Sequence, residues 1–424
     1  MKNIKKIAVI LLALLVVVGC GKKSGGTANA DIVTEVPEGT KVVYWHAMNG
    51  KQEEALTKLT EDFNAANPNI TVELQNQSSY KDLSQKLSAT FVSPKDLPTM
   101  TQAYPGHVYN AILDDLVEVL DPYIEHDVIG IEDWEDVVKG YREGTKIDGK
   151  TYAIPFNKST EVIFYNKDIF EKAGVEVPTN MEELAEVAKK IHETTGNAGA
   201  GFDSLSNYYI TALASRGIEF NKDLDVTGKD SREIIDYYLE GVKEGYFRIA
   251  GEDGYLSGPF GNELLGFNIG SNAGLGYVLK GAQNEDGSQK FEVGAAVLPV
   301  ESNIQQGTDL YIFSSATPEE KTAAFEYMKF LISKDSQIFW ANTTGYIPVR
   351  TSAIESDEYQ NSGNIVAPLV KEATKNMYTR NGDSATDSAA NEVGATLEAI
   401  LGDPNGDVDA KLEELKLNLD NTWE

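Results

Sequence analysis

The chain has 424 residues, 66 Asp and Glu against 37 Lys and Arg, and a formal charge of −29. So acidic a surface excludes nucleic acid and anionic lipid headgroups as partners and favours solubility. The length exceeds what one core usually supports, so two lobes are expected.

Residues 1–20 carry Lys2, Lys5 and Lys6, an apolar run from Ile7 to Val18, then Gly19-Cys20. This is the pattern of an export signal, and the run is short of the ~20 apolar residues a membrane-crossing helix needs. Cys20 is the only cysteine. No intrachain disulfide is open to the chain, and the body must be held by its core. The organisation expected is a signal peptide over 1–19, then a tether over 20–39, rich in Gly, Ser, Thr and charge.

From Val42 the chain reads strand, helix, strand. Leu56, Leu59 and Phe63 share one helical face, Asn67-Pro68-Asn69 breaks the helix, and Ile70, Val72 and Leu74 alternate as in a half-buried strand. That is a β-α-β unit. Ile163-Phe164-Tyr165 predicts a strand leading into a short helix that ends near Gly174. Thr179 with Glu182 fits a capping box for the next helix, whose apolar face is Leu184, Val187, Ala188 and Ile191. Thr317-Pro318-Glu319-Glu320 repeats the signal, followed by a stripe of Ala324, Phe325, Met328, Leu331 and Ile332. The fold class is α/β.

Catalytic signatures are missing. The four histidines, His46, His107, His126 and His192, form no zinc motif, and there is no GxSxG elbow, P-loop or GxGxxG. The stretch DPNGDVD (403–409) has Val408 where a calcium loop needs Gly, and reads as a turn between helices. Neither enzyme activity nor a cofactor is expected. A surface glycan or phosphodiester hydrolase would need a carboxylate pair in a cleft.

Aromatic, amide and hydroxyl residues cluster at the ends of apolar strands instead. They occur at Tyr44-Trp45-His46, Ser78-Ser79-Tyr80, Gln102-Ala103-Tyr104, Phe156-Asn157-Lys158-Ser159-Thr160, Ser271-Asn272 and Thr344-Gly345-Tyr346. In open α/β sheets ligands bind beyond the carboxyl ends of strands, where aromatic faces cover apolar surface and polar groups fix orientation. Strand alternation puts Tyr44 and His46 on one face and Trp45 on the other.

The segments YAIPFNKSTEVIFYNKDIFEKAGVEVPTNMEELAEVAKKI (152–191) and ATPEEKTAAFEYMKFLISKDSQIFWANTTGYIPVR (316–350) resemble those of the extracellular solute-binding proteins of bacterial ABC importers. With YWHAMNG (44–50) added, the likeness is greatest to the branch that binds sn-glycerol 3-phosphate. Val17-Val18-Gly19-Cys20 is similar to a bacterial lipobox, with Cys20 as the lipid-bearing residue. The resemblance implies a type II periplasmic-binding-protein fold with a cleft between discontinuous lobes, one of 40–156 plus 296–346 and the other of 157–295 plus 347–424. It implies a monomeric receptor, lipid-anchored on the outer face of the cell membrane. Such a receptor captures a small polar solute, glycerol 3-phosphate or a glycerophosphodiester, and delivers it to the ABC permease subunits with their ATPase. A sugar or oligosaccharide is the alternative cargo, with stacking on Trp45, Trp340 or the tyrosines, although the helical stripe of Ile338, Phe339 and Trp340 favours burial of Trp340. A third reading is a sensor lipoprotein.

Carried over residue by residue, the ligand contacts implied are Tyr80, Tyr104, Ser159 or Lys158, Ser271 with Asn272, Gly307 and Tyr346, with Trp45 beside them. Gly307 is expected to let the ligand approach bare backbone. Two positions depart from the family. Pro105 stands where a glutamate is expected, and Ala390 where an arginine would clamp phosphate. Arg380, Arg350 or Lys158 would have to supply that charge, an arginine through bidentate contacts.

Overall fold

The computed structural model describes residues 32–423. The leader and Cys20 lie outside the described residues. Within them, no helix is long and apolar enough to cross a membrane, and no group of three or more His, Cys, Asp or Glu side chains is placed to hold a metal.

In chain order the main strands are β1 (Thr40–His46), β2 (Ile70–Asn76), β3 (Met100–Ala103), β4 (Ile154–Pro155), β5 (Glu161–Asn166), β6 (Ala198–Phe202), β7 (Leu265–Ser271), β8 (Val293–Val297) and β9 (Asp309–Ile312). The main helices are α1 (Lys51–Ala66), α2 (Tyr80–Thr90), α3 (Pro105–Leu113), α4 (Met181–Thr195), α5 (Leu205–Ser215), α6 (Lys229–Glu244), α7 (Pro318–Leu331), α8 (Lys334–Thr344), α9 (Ser384–Gly402) and α10 (Val408–Trp423).

Two sheets result, each the centre of one lobe. The first has the order β2-β1-β3-β9-β4, and the second β8-β5-β7-β6. β1 and β2 pair in parallel with Val42 opposite Val72, as the β-α-β reading requires, and β3 joins β1 in parallel. β9 returns antiparallel between β3 and β4, so its first residue, Asp309, lies beside the last residues of β3 and β4. The class is therefore mixed α/β. Leu56, Leu59 and Phe63 of α1 are buried, as are Ala324, Phe325, Met328 and Leu331 of α7 with Ile332 behind them.

Local signals succeed where they are unambiguous. Thr317 and Glu320 form the reciprocal capping box, with Pro318 at the first helical turn. At α4 the box is displaced by one residue. Asn180 is the cap and accepts from the Glu183 N–H, while Glu183 reaches back to the Thr179 N–H and hydroxyl. Asn outranks Thr as a cap, and two adjacent capping residues faced two adjacent glutamates.

Three strands of chain cross between the sheets. Asn157 donates its N–H to the Thr308 carbonyl, Ser159 pairs with Gln306, and the Ile347 N–H bonds the Lys158 carbonyl. The second lobe departs from the expected boundaries. Residues just after 346 pack on the first lobe's side: Val138 donates to the Val349 carbonyl, and Arg350 pairs with Asp133 and Asp136. The chain rejoins the second lobe later, where α9 lies against α5, α6 and α10. Arg350 thus ties the segment after 346 to two aspartates more than two hundred residues upstream.

Candidate functional site

The cleft begins where the parallel strands of the first sheet run out. β2 ends in a turn capped by Ser79, which accepts from the Asp82 N–H and leaves Tyr80 as the first residue of α2. β3 ends at Ala103, and Tyr104 immediately precedes α3, whose first residue is Pro105. The same strand-to-helix geometry thus places two tyrosines side by side, their rings 5.2 Å apart and edge to face. The third arrives from far along the chain. Gly345, at φ +84°, ends α8 in a left-handed turn and turns Tyr346 back towards the sheet. Its hydroxyl meets that of Tyr80 at 3.1 Å.

Behind this triad stands a rigid support. Trp340 stacks on Tyr346 at 5.7 Å on one side and on Phe156 at 4.9 Å on the other, and is fully buried. The tyrosine ring is fixed by packing before any ligand arrives. Below the triad lies a polar floor. Tyr44 donates to Gln102 Oε1 at 3.1 Å, and Asn157 Nδ2 to Thr308 Oγ1 at 3.1 Å. Gln102 Nε2 and Asn157 Oδ1 are buried without a partner. An unpaired buried donor and acceptor at one place is a cost that a polar ligand offsets. Burial raises the Tyr80 hydroxyl's pKa, against hydrogen bonds from Tyr346, Thr308, Asn157 and Gln102. Burial does the same at Tyr104 and Tyr346, so all three stay neutral hydroxyls near pH 7.

Both cations at the cleft are already neutralised. Lys158 Nζ sits 2.6 Å from Asp309, both deeply buried. Burial drives the Asp309 carboxyl upward while Lys158 pulls it down. Arg380 faces Asp387 at 3.5 Å, each about a quarter exposed. Asp387 lies against the start of α3, where a Cβ on Gly106 would fall 2.1 Å from its Oδ2. His107 stands edge-on to Tyr104 at 5.4 Å, and burial lowers its pKa although Asp387 raises it.

The expected site residues separate into groups. Tyr80, Tyr104 and Tyr346 come together, with Arg380 near Tyr104. Ser159 lies in the crossing segment, buried, its main chain paired to Gln306. Ser271 ends β7 and accepts from the Ala273 N–H. The others are occupied by the protein itself. Asn272 accepts from the Thr160 N–H at 2.7 Å and donates to the Gly345 carbonyl, so it fastens β5 to the turn before Tyr346. Gly307, at φ +104°, has no room for a side chain, since a Cβ would sit 1.6 Å from the Asn157 carbonyl oxygen.

Trp45 packs with Leu83 and Leu87 of α2, donates to Gln75 Oε1 at 2.9 Å and carries Lys86 Nζ 3.9 Å over its ring. That is a core position. His46 is buried, accepts from the Met48 N–H, and has its pKa lowered to about 4 by burial. Arg350 is spent on Asp133 and Asp136, and Ala390 is buried in the second lobe's core. Sequence reading missed Asp309, Asp387, Tyr255 and Tyr277. The last two are 70% and 51% exposed, and each lies near enough to raise the pKa of Tyr104 and Tyr346 respectively.

The sequence profile of the bacterial extracellular solute-binding protein family matches residues 58–367, most of the chain. The chain belongs to this family. Among its relatives is the sn-glycerol-3-phosphate-binding periplasmic protein UgpB of Yersinia pestis, 23% identical over 364 residues, which span 79% of this chain and 78% of that protein. UgpB of Escherichia coli O1:K1 is 24% identical over 360 residues, 77% of each. Two solved structures share the two-lobed fold at 20% identity and a TM-score of 0.78. One is UgpB of Mycobacterium tuberculosis in complex with glycerophosphocholine, covering 90% of this chain and 98% of its own. The other is the GacH receptor of Streptomyces glaucescens, solved unliganded and with acarbose, covering 92% and 100%. This solute-binding protein therefore has the two-lobed fold of its family.

Proposed function

We propose that the protein captures a small polar solute between its lobes, glycerol 3-phosphate or a glycerophosphodiester first, and delivers it to an ABC permease. The carrying observation is the convergence of Tyr80, Tyr104 and Tyr346 over Gln102 and Asn157, with Arg380 beside them. Ring faces cover the carbon skeleton, the unpaired amide atoms bond hydroxyls, and Arg380 meets the phosphate. Tyr80, Tyr104, Tyr346, Ser159, Ser271 and Arg380 are the contacts we assign. Binding stabilises the closed arrangement by its greater affinity for closed than open lobes, and the closed form docks on the permease subunits with their ATPase. The protein acts as a monomer, tethered outside the cell membrane through Cys20, makes and breaks no bond, and needs no cofactor.

A saccharide is the second reading. Each cleft cation already has a carboxylate partner, and Tyr255 and Tyr277 add exposed aromatic faces suited to sugar stacking. A thermal-shift series with glycerol 3-phosphate, glycerophosphocholine, maltose and longer oligosaccharides separates the two, because a specific binder raises the midpoint by mass action. A response to saccharides alone removes the phosphoglycerol assignment. Consumption of a glycan during the assay removes the receptor reading.

A further inference from the structure

A cavity lies in the second lobe, lined by none of the three tyrosines of the triad. It holds about 520 Å³, within the range of small-ligand sites. Its inner wall is Phe202, Tyr208, Ile234 and Leu298, all buried, and its mouth carries the exposed Glu301 and Glu372. The tyrosine hydroxyls are already partnered, Tyr208 donating to the Ile234 carbonyl and Tyr237 to that of Met181.

Two polar atoms at the inner end lack partners. Glu161 is 2% exposed, and its Oε1 accepts from Asn207 at 2.9 Å and Gln306 at 2.7 Å. Its Oε2 is buried with no partner, and so is the hydroxyl of Thr211, 4% exposed. The one cation lining the cavity, Arg216, is held by Asp230 and Glu233 at 3.0 Å each. The space therefore combines apolar and aromatic walls, a buried carboxyl with one oxygen unpartnered at the floor and further carboxylates at the entrance.

We propose that this cavity is a second binding site, for a primary ammonium on a short apolar chain. The ammonium donates to Glu161 Oε2 and Thr211 Oγ1, the alkyl chain lies along Phe202, Tyr208 and Leu298, and Glu301 and Glu372 draw the cation in. Burial raises the Glu161 carboxyl to about 7, and an ammonium beside it would draw it back down.

The test titrates the protein with n-butylammonium, and with n-butanol as the uncharged counterpart. The expected result is one-to-one binding of the amine, little of the alcohol, and an amine affinity lowered roughly tenfold or more in Glu161→Gln. Thr211→Val, which keeps the shape and removes the hydroxyl, weakens the amine by a smaller factor and stands in should the first variant not fold. Tyr104→Ala leaves amine binding unchanged. The proposal is overturned by equal binding of amine and alcohol, by no amine binding at millimolar concentration, by unaltered affinity in Glu161→Gln or, where that variant does not fold, in Thr211→Val, or by loss of amine binding in Tyr104→Ala. That last result would move the amine into the cleft.

Discussion

At the cleft each cation meets a carboxylate, Lys158 with Asp309 fully buried and Arg380 with Asp387 partly exposed. In the second lobe's cavity Glu161 meets only the amides of Asn207 and Gln306. In the first arrangement mutual attraction offsets part of the desolvation cost, and the site presents balanced charge to whatever enters. The second leaves a carboxylate that burial alone pushes towards neutrality. The difference shows two ways of making a polar interior tolerable: pairing charges, or letting one titrate.

The largest effect is expected from breaking a pair. Asp309→Ala leaves the Lys158 ammonium buried without a counter-ion, a change that costs about 3–5 kcal/mol. Denaturant unfolding should register the loss, and Lys158→Met on the same background should recover part of it. If the single variant unfolds like the wild type, the pair is not the buried neutral unit described.

Glu161 sharpens the opposite case. Its carboxyl rises from 4.5 to about 7, so between those values the folded chain holds a proton that the unfolded chain has released. Stability therefore falls as pH rises through that window. Glu161→Gln removes the titration, and its advantage over the wild type should grow between pH 5 and pH 8 by up to about 3 kcal/mol. Thermal melts at the two pH values measure it, and a constant difference would contradict the assignment.

The smallest effect tests the lobe contact beside the cleft. Gly106→Ala puts a methyl 2.1 Å from Asp387 Oδ2 and 3.1 Å from the Asp383 carbonyl. Opening the α3–α9 contact to admit it should cost about 1–3 kcal/mol of the closed arrangement. Small-angle scattering should then show a more open molecule than the wild type. An unchanged radius of gyration would mean that this contact does not hold the lobes.

Much of the fold was legible because its signals are local. The β1-α1-β2 unit and the Thr317–Glu320 box each lie within a few turns of chain. The site was legible only in part. Tyr80 and Tyr346 are 266 residues apart, and their shared hydrogen bond exists only once those two distant segments are folded together. Residue type at a strand end marks a position near the cleft, as at Tyr104. It does not reveal which side chains the protein has already used, as with Asn272 between Thr160 and Gly345. Gly307 is the sharpest case, since the atom that forbids a side chain there is the carbonyl of Asn157. The carboxylates Asp309 and Asp387 carried no local signal, because their meaning comes from cations elsewhere in the chain.

The central claim is that solute sits against the tyrosine triad between the lobes. Isothermal titration of the solute that raises the melting midpoint, into wild type and Tyr104→Ala, tests it most directly. The account predicts one site in the wild type and an affinity lowered roughly 10- to 100-fold in the variant, with the fold retained by circular dichroism. Equal affinity in the two proteins would place the solute elsewhere and contradict the account.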